Sequence, residues 1–205
     1  MRKIKRGTLD ADDVLYPTQR QMTKWVNRTM GLGITLDFWV HDDFARLFNV
    51  SQAEARRIAR RFHESPEFTS MRPDPEAVAA VERIKAHFDE LHVSTSRPSN
   101  LHAMTRPAIA AHFHDLFADV HFSNKYEEHL PKQSKAEVSL RLGAEIHGDD
   151  VVSHATDCAE AGVIVYLLPF TWNAKATGLH PNIIRVDSLH DIANRLDHQL
   201  ARRHF

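Results

Sequence analysis

Two aspartates one residue apart, Asp10 and Asp12, close a short alternating segment, Ile4 to Leu9, within the stretch Asp10-Ala11-Asp12-Asp13-Val14-Leu15-Tyr16. Side chains along a strand alternate with period two, so a strand running into this stretch aims both carboxylates to one side. Such a pair repels itself unless a cation joins it. A hard divalent ion such as Mg²⁺ takes oxygen ligands and keeps several waters, which suits phosphate chemistry. The same residues have a second use that stays open at this point, because Asp is a favoured N-cap for a following helix.

Three further clusters carry comparable chemistry. Thr95-Ser96-Arg97 offers a hydroxyl and an amide for phosphate oxygens, Lys135 a positive charge, and Asp149-Asp150 a second pair of carboxylates. What brings them together is the order of elements. From Pro75 onward helical and apolar strand patterns alternate. Glu76 to Phe88 reads as helix, Leu91 to Thr95 as strand, Arg106 to Phe117 as helix and Val120 to Ser123 as strand. Ser134 to Leu142 reads as a helix stopped by Gly143, and Glu145 to His147 as a strand leading into Gly148-Asp149-Asp150. Then come a helix closing over Cys158 to Ala161, a buried strand Val163 to Leu168, a short strand Ile183 to Val186 and a helix from Ser188 to about Arg202. Such alternation argues an α/β fold with a mainly parallel sheet covered on both faces. Ligands of these sheets gather at the carboxyl ends of the strands, where all four clusters fall.

Between Pro17 and about Pro73 the pattern is helical throughout: Gln19 to Met30, then Leu36 to Phe48, then a helix opened by Ser51 with Glu54 three residues on. Ser65-Pro66 and Arg72-Pro73 end it. The segment 17–73 therefore reads as a helical insertion into a core made of 1–16 and 74–205. Arg56, Arg57, Arg60 and Arg61 lie along one of its helices as a basic stripe, which is most often a solvated face and only sometimes a phosphate-attracting rim.

Composition narrows the classes further. The 205 residues suffice for one medium domain, and 26 basic against 27 acidic side chains give no pull toward polymeric nucleic acid. The single cysteine, Cys158, has no internal disulfide partner, and no stretch reads as a signal peptide or membrane span, so the expectation is a cytoplasmic protein. Fifteen histidines invite a metal reading through His41-Asp42-Asp43 or His112-Phe113-His114, but without a His-Glu-x-x-His pattern they read as scattered surface residues. The seven glycines include no phosphate loop and no dinucleotide fingerprint, which weighs against triphosphate and nicotinamide cofactors.

Taken in order, the clusters resemble the haloacid dehalogenase-like (HAD) phosphatases, whose Asp-x-Asp-x-Thr/Val signature is matched by Asp10-Ala11-Asp12-Asp13-Val14. The helical insertion, Val93-Ser94-Thr95-Ser96-Arg97-Pro98 and Pro169-Phe170-Thr171-Trp172-Asn173 look like the 5'(3')-deoxyribonucleotidase group. The resemblance spans essentially the whole chain. It implies a three-layer Rossmann-like sheet with a small helical cap after the first strand, and a Mg²⁺-dependent phosphomonoesterase. Asp10 would attack phosphorus and form an aspartyl-phosphate. Asp12 would protonate the leaving alkoxide, deprotonate the attacking water and lend its backbone carbonyl to the metal. Thr95 and Ser96 would bind phosphate oxygens and Lys135 would neutralise charge, with Lys125 and Lys132 nearby as rivals. Asp150, twelve residues before Gly162, has the spacing expected of the metal ligand, with Asp149 behind it. The expected substrate is a small phosphate ester, foremost a nucleoside monophosphate. The alternatives are a phosphatase of another ester and a silent ligand-binding relative. Trp39 and Phe68 of the cap are the candidates to stack on a base. Lys5-Arg6-Gly7-Thr8-Leu9 is more polar than a central strand usually is.

Overall fold

A computed structural model describes residues 3–40, 43–123 and 131–202. His41, Asp42 and Lys125, weighed above, lie outside them. The chain order is β1 (Ile4–Leu9), α1 (Thr18–Met30), α2 (Phe44–Phe48), α3 (Gln52–His63), α4 (Pro66–Thr69), α5 (Pro75–Lys85) and β2 (Phe88–Thr95). It continues with α6 (His102–His112), β3 (Val120–Phe122), α7 (Lys135–Leu142), β4 (Ile146–Asp149), α8 (Val152–Glu160), β5 (Ile164–Leu167), β6 (Ile183–Arg185) and α9 (Leu189–Arg202).

The six strands form one sheet in the order β3-β2-β1-β4-β5-β6, and every pairing is parallel. Helices α5 and α9 pack on each other, as do α7 and α8. The interior accordingly divides into two clusters. One runs through Leu9, Val93, Ile84 and Ile192, and the other through Ala155, Cys158, Val165 and Leu167. Because β1 lies between β2 and β4, the chain reverses its direction of travel across the sheet beside β1. That is where a parallel sheet opens a crevice at its carboxyl edge.

Central placement of so polar a strand has a local explanation at Arg6, Gly7 and Thr8, and Lys5 is exposed. Gly7 faces the Phe88 ring, and a Cβ there would stand 2.6 Å from it, so the bulk is supplied by the neighbouring strand. Thr8 is fully buried with its hydroxyl 2.8 Å from His147 Nδ1. Arg6 pairs with Glu90 and donates to the Leu142 carbonyl at 3.0 Å. Polar side chains are tolerated in a covered strand when each finds a partner.

The insertion differs from expectation in its middle. Leu36 to Phe48 is not one helix: Leu36–Phe38 is a single 3₁₀ turn, and α2 begins afresh at Phe44 with the Asp43 carboxylate accepting from the Ala45 amide at 2.9 Å. The break lets Trp39 turn inward, 1% exposed, among Phe38, Phe44 and Phe48, with its indole N–H donating to Thr23 Oγ1 at 2.7 Å. Ser51 caps α3 through the Glu54 amide, and Arg56, Arg57, Arg60 and Arg61 are exposed on it. Met22, Trp25, Val26, Ile58, Phe62 and Phe68 close the interior of the insertion. The helix after β2 also ends early, at His112, because His114 and Asp115 adopt left-handed backbone angles of φ 49° and 56°. No described helix is long and apolar enough to cross a membrane.

Candidate active site

The crevice beside β1 collects the groups that the sequence places at strand ends. β1 stops at Leu9, Asp10 takes the first position beyond it, and its amide donates to Gly148 O of β4 at 2.9 Å. Asp10 is 6% exposed, Oδ1 accepts from the Ala11 amide at 2.7 Å, and Oδ2 lies 2.8 Å from Lys135 Nζ. Lys135 is the first residue of α7, whose start is fixed by a reciprocal capping box between Ser134 and Glu137. The same ammonium reaches Asp149 Oδ2 at 2.7 Å. Lys132 is exposed.

Asp149 and Asp150 end β4 and differ sharply in surroundings. Asp149 Oδ2 also accepts from His147 Nε2 at 2.8 Å, and Oδ1 accepts from the amides of Asp150 and Val151, each at 2.9 Å. Burial alone would push its carboxyl up, but Lys135 and the His147 hydrogen bond outweigh this and hold it well below the usual range. Asp150 Oδ1 is buried with no hydrogen-bond partner. Burial, then the charges of Asp149 and Asp10, raise the Asp150 carboxyl well above the usual range. Asp10 is pushed up to about 7 by burial, with Lys135 opposing and Asp149 and Asp12 reinforcing.

Carboxylate oxygens of Asp10, Asp149 and Asp150 lie within 4.8 Å of one another, a set that could hold a metal ion. Two of these buried carboxylates, Asp10 and Asp149, share the Lys135 ammonium, and the third, Asp150, has an oxygen without a donor. Buried charge in that excess calls for a cation. The donor set is all oxygen, as Mg²⁺ prefers. Asp149 takes two protein donors on each oxygen and Asp10 one on each, whereas Asp150 Oδ1 takes none, which leaves Asp150 best placed to offer a lone pair and Asp10 next.

Asp12 behaves differently from what strand alternation suggests. The chain leaves the strand after Leu9 and coils, with the Leu15 and Tyr16 amides both donating to Ala11 O at 3.0 Å, so the two carboxylates diverge. Asp12 Oδ1 accepts from the Thr18 hydroxyl at 2.6 Å and from Arg97 Nη2 at 2.8 Å, and Oδ2 from Arg97 Nε at 3.0 Å. The cation joining Asp12 is therefore Arg97. Burial favours the neutral acid, but Arg97 outweighs it and holds the carboxyl below its ordinary value. The helix-capping use is realised by the next residue: Asp13, at φ 60°, accepts the Gln19 amide in the first turn of α1 at 2.8 Å.

Thr95, fully buried, ends β2 beside Asp10, and its hydroxyl accepts the Arg97 amide at 3.3 Å. The Ser96 hydroxyl accepts from Ser123 at 2.9 Å. Trp39 and Phe68 are 1% and 4% exposed, so the structure places both inside the insertion. Phe68 packs on Phe62 and His63 and lies under the Arg97 guanidinium at 5.2 Å. The loop after β5 bridges the two parts of the molecule. Trp172 Nε1 and Asn173 Nδ2 donate to the Asp150 carbonyl at 3.0 and 2.7 Å, while the Thr171 hydroxyl donates to the Trp39 carbonyl.

Sequence reasoning missed Arg97 as the partner of Asp12 and His147 as that of Asp149. His147 was legible, since two residues apart on a strand means one face; reading the histidines as surface residues obscured it. His87 and His92 are buried as well.

No family model and no curated protein matches the chain. Solved structures do. A haloacid dehalogenase-like family hydrolase from Streptococcus pneumoniae superposes with a TM-score of 0.69 at 15% identity, over 95% of this chain and all of the other. A protein from Bacillus subtilis described as a HAD hydrolase, bound to magnesium, gives 0.64 at 12% identity, over 96% and 100%. The L-2-haloacid dehalogenase of Xanthobacter autotrophicus, with chloropropionic acid covalently bound, gives 0.62 at 12% identity, over 95% and 98%. The fold is that of the HAD hydrolases. It includes the helical insertion after β1 and places the aspartates of this chain at the carboxyl edge of the sheet.

Proposed function

We propose that the protein is a Mg²⁺-dependent phosphomonoesterase that works through an aspartyl-phosphate on Asp10. The observation that carries this reading is the trio Asp10, Asp149 and Asp150, buried around a single Lys135 with one Asp150 oxygen left without a donor. A bound Mg²⁺ would be held by Asp10, Asp150 and the Asp12 backbone carbonyl, with Asp149 positioned behind them, and would supply charge to draw electrons from the phosphoryl oxygens. Lys135 would hold Asp10 as the carboxylate and steady its attacking oxygen. Attack on phosphorus would break the ester bond and send its electron pair to the leaving oxygen, which takes a proton from Asp12; the step uses the protonated acid, left on Asp12 by the water of the preceding turnover, against the pull of Arg97. Water would then attack the aspartyl-phosphate, giving up a proton to Asp12 and restoring Asp10. Thr95 and the Ser96 amide would bind the remaining phosphoryl oxygens. Carbon–halogen cleavage is the less favoured chemistry. A halide leaves without a proton and brings no phosphoryl oxygens to neutralise, so Asp12 and Asp150 would have no task.

As substrate class we propose a nucleoside monophosphate. Phe170 and Trp172 support it: their rings are stacked with centroids 4.9 Å apart, both are half-buried, and the indole N–H is anchored to the carbonyl of Asp150. A flat base beside this pair would find an aromatic wall next to the metal carboxylates. Helices α1 to α4 would act as the cap, and Trp39 and Phe68, buried here, would meet a base only after the cap shifts. The test is phosphate release from nucleotides, sugar phosphates and an aryl phosphate, with and without Mg²⁺. Wild type should be active and EDTA-sensitive, and Asp10→Asn should fold yet release nothing. Activity of Asp10→Asn near wild type would sink the covalent route, and a preference for sugar phosphates would replace the nucleotide reading.

A further inference from the structure

Arg97 is a buried cation that the reaction outlined above does not use. It follows Thr95 by two residues, is 6% exposed, and turns one edge of its guanidinium to the carboxylate of Asp12. Nη1 donates to Thr105 Oγ1 of α6 at 3.3 Å. The guanidinium carbon lies 5.1 Å from the Tyr16 ring centroid and 5.2 Å from that of Phe68. Tyr16 belongs to the segment leading into the insertion, and Phe68 to α4 within it. Elements of both core and cap therefore fix one guanidinium, and that guanidinium fixes Asp12. A planar two-point contact sets direction as well as distance, which a lone ammonium would not do.

Three roles are open to such a residue. As a fold-stabilising pair it would be a poor choice, because a buried ion pair often gains little over packed apolar side chains. As a phosphate ligand it would be turned toward the Asp10, Asp149 and Asp150 group, yet it hydrogen-bonds none of these three. Its one ion pair, made through two nitrogens, is with the side chain whose task depends on where it points. Thr18, donating to Asp12 from the start of α1, grips the same carboxylate from the cap side.

We propose that Arg97 is a positioning residue: it fixes the direction in which the Asp12 carboxylate points, and the cap acts on Asp12 through Phe68 lying against Arg97. The inference rests on the phosphomonoesterase reading and adds to it a route by which cap position reaches the proton donor. The reaction uses Asp12 most where the leaving group is a poor one. An alkoxide needs its proton, whereas an aryl oxide departs with little help.

The experiment measures kcat/KM at saturating Mg²⁺ for an alkyl phosphate and for p-nitrophenyl phosphate. The proteins are wild type, Arg97→Gln, Phe68→Leu, Asp12→Ala and the Asp12→Ala/Arg97→Gln double variant. The aryl-to-alkyl ratio should rise by roughly tenfold or more in Arg97→Gln, within the range general acid catalysis supplies. It should rise less in Phe68→Leu. In the Asp12→Ala background Arg97→Gln should leave the ratio unchanged, since residues acting through one another are not additive. Equal losses on both substrates, a rise in KM alone, or an additive double variant would each overturn the inference. Should Arg97→Gln fail to fold, Thr105→Val removes a single support of the guanidinium and must move the ratio in the same direction, or the inference fails. A wild type silent on both substrates overturns the phosphatase reading and this inference with it. Equal losses in an active enzyme overturn the inference alone.

Discussion

Magnesium should stabilise the folded chain more at pH 8 than at pH 5.5, and Asp150 should be required for the effect. At a concentration 100 times its dissociation constant at pH 8, a ligand of the folded state adds about 2.7 kcal/mol. For a chain of this length each kcal/mol is worth about 2–4 °C in Tm, so the rise should be roughly 5–10 °C. The pH dependence follows from Asp10 and Asp150, both raised chiefly by burial in the metal-free protein, Asp10 to about 7. At pH 5.5 the Asp10 proton must leave before the metal binds, which alone costs about 2 kcal/mol at about 1.4 kcal/mol per pH unit, and any proton on Asp150 adds to this. The remaining gain is under about 1 kcal/mol, a rise of roughly 2–3 °C. The sign for the metal-free protein is opposite. A carboxyl raised on folding contributes stability below its unfolded value of 3.8 and loses it as pH rises through about 7. The metal therefore helps most where the bare site is weakest. Thermal unfolding followed by circular dichroism at both pH values, for wild type and Asp150→Asn, tests this. Asp150→Asn should be no less stable than wild type without metal, since a repelling carboxyl is gone, and should not respond to Mg²⁺. An equal Tm rise in Asp150→Asn, or a larger wild-type rise at pH 5.5, would refute the assignment.

Asp12→Ala should cost alkyl phosphates about 10²-fold or more in kcat/KM and aryl phosphates far less, and equal losses would argue against a general acid. Trp172→Ala should weaken nucleotide hydrolysis by about 1–3 kcal/mol in kcat/KM and spare a small aliphatic phosphate, as expected if a base stacks beside it; parallel losses would remove the nucleotide reading. Trp39→Ala should destabilise the fold by about 3–5 kcal/mol in urea unfolding, because a fully buried indole and its hydrogen bond to Thr23 are lost; a change under 1 kcal/mol, of order the net worth of a single hydrogen bond, would mean the site is not packed as described. His63 is pushed down to about 4 by burial, against the pull of Asp12, from an ordinary 6.5. The unfolded chain takes up this proton first as pH falls, so stability should drop between about pH 6.5 and 4 and His63→Phe should flatten that slope. An unaltered slope would contradict the burial.

The sheet was legible because its strands carry apolar runs separated by helical patterns, and the order of motifs placed Asp10, Thr95, Lys135 and Asp150 on one edge. What the sequence concealed depends on partners distant in the chain. The polarity of β1 makes sense only when Phe88 fills the space at Gly7 and His147 meets Thr8. Helical spacing from Leu36 to Phe48 predicted one helix, yet burying Trp39 among three phenylalanines breaks it. Asp12 and Arg97 are 85 residues apart, and no local pattern announces their contact. The same holds for Phe68: its aromatic character suggested a surface for a base, and packing against Phe62 and Arg97 gives it another neighbour.

The central claim is that Asp10 carries the phosphoryl group, and trapping that species tests it most directly. Protein quenched in acid during turnover of a phosphate ester with Mg²⁺, then reduced with borohydride and analysed by peptide mass spectrometry, should show homoserine at position 10. The product should be absent without substrate and absent in Asp10→Asn. Release of phosphate with no modification at position 10, or with modification at another carboxylate, would contradict the account.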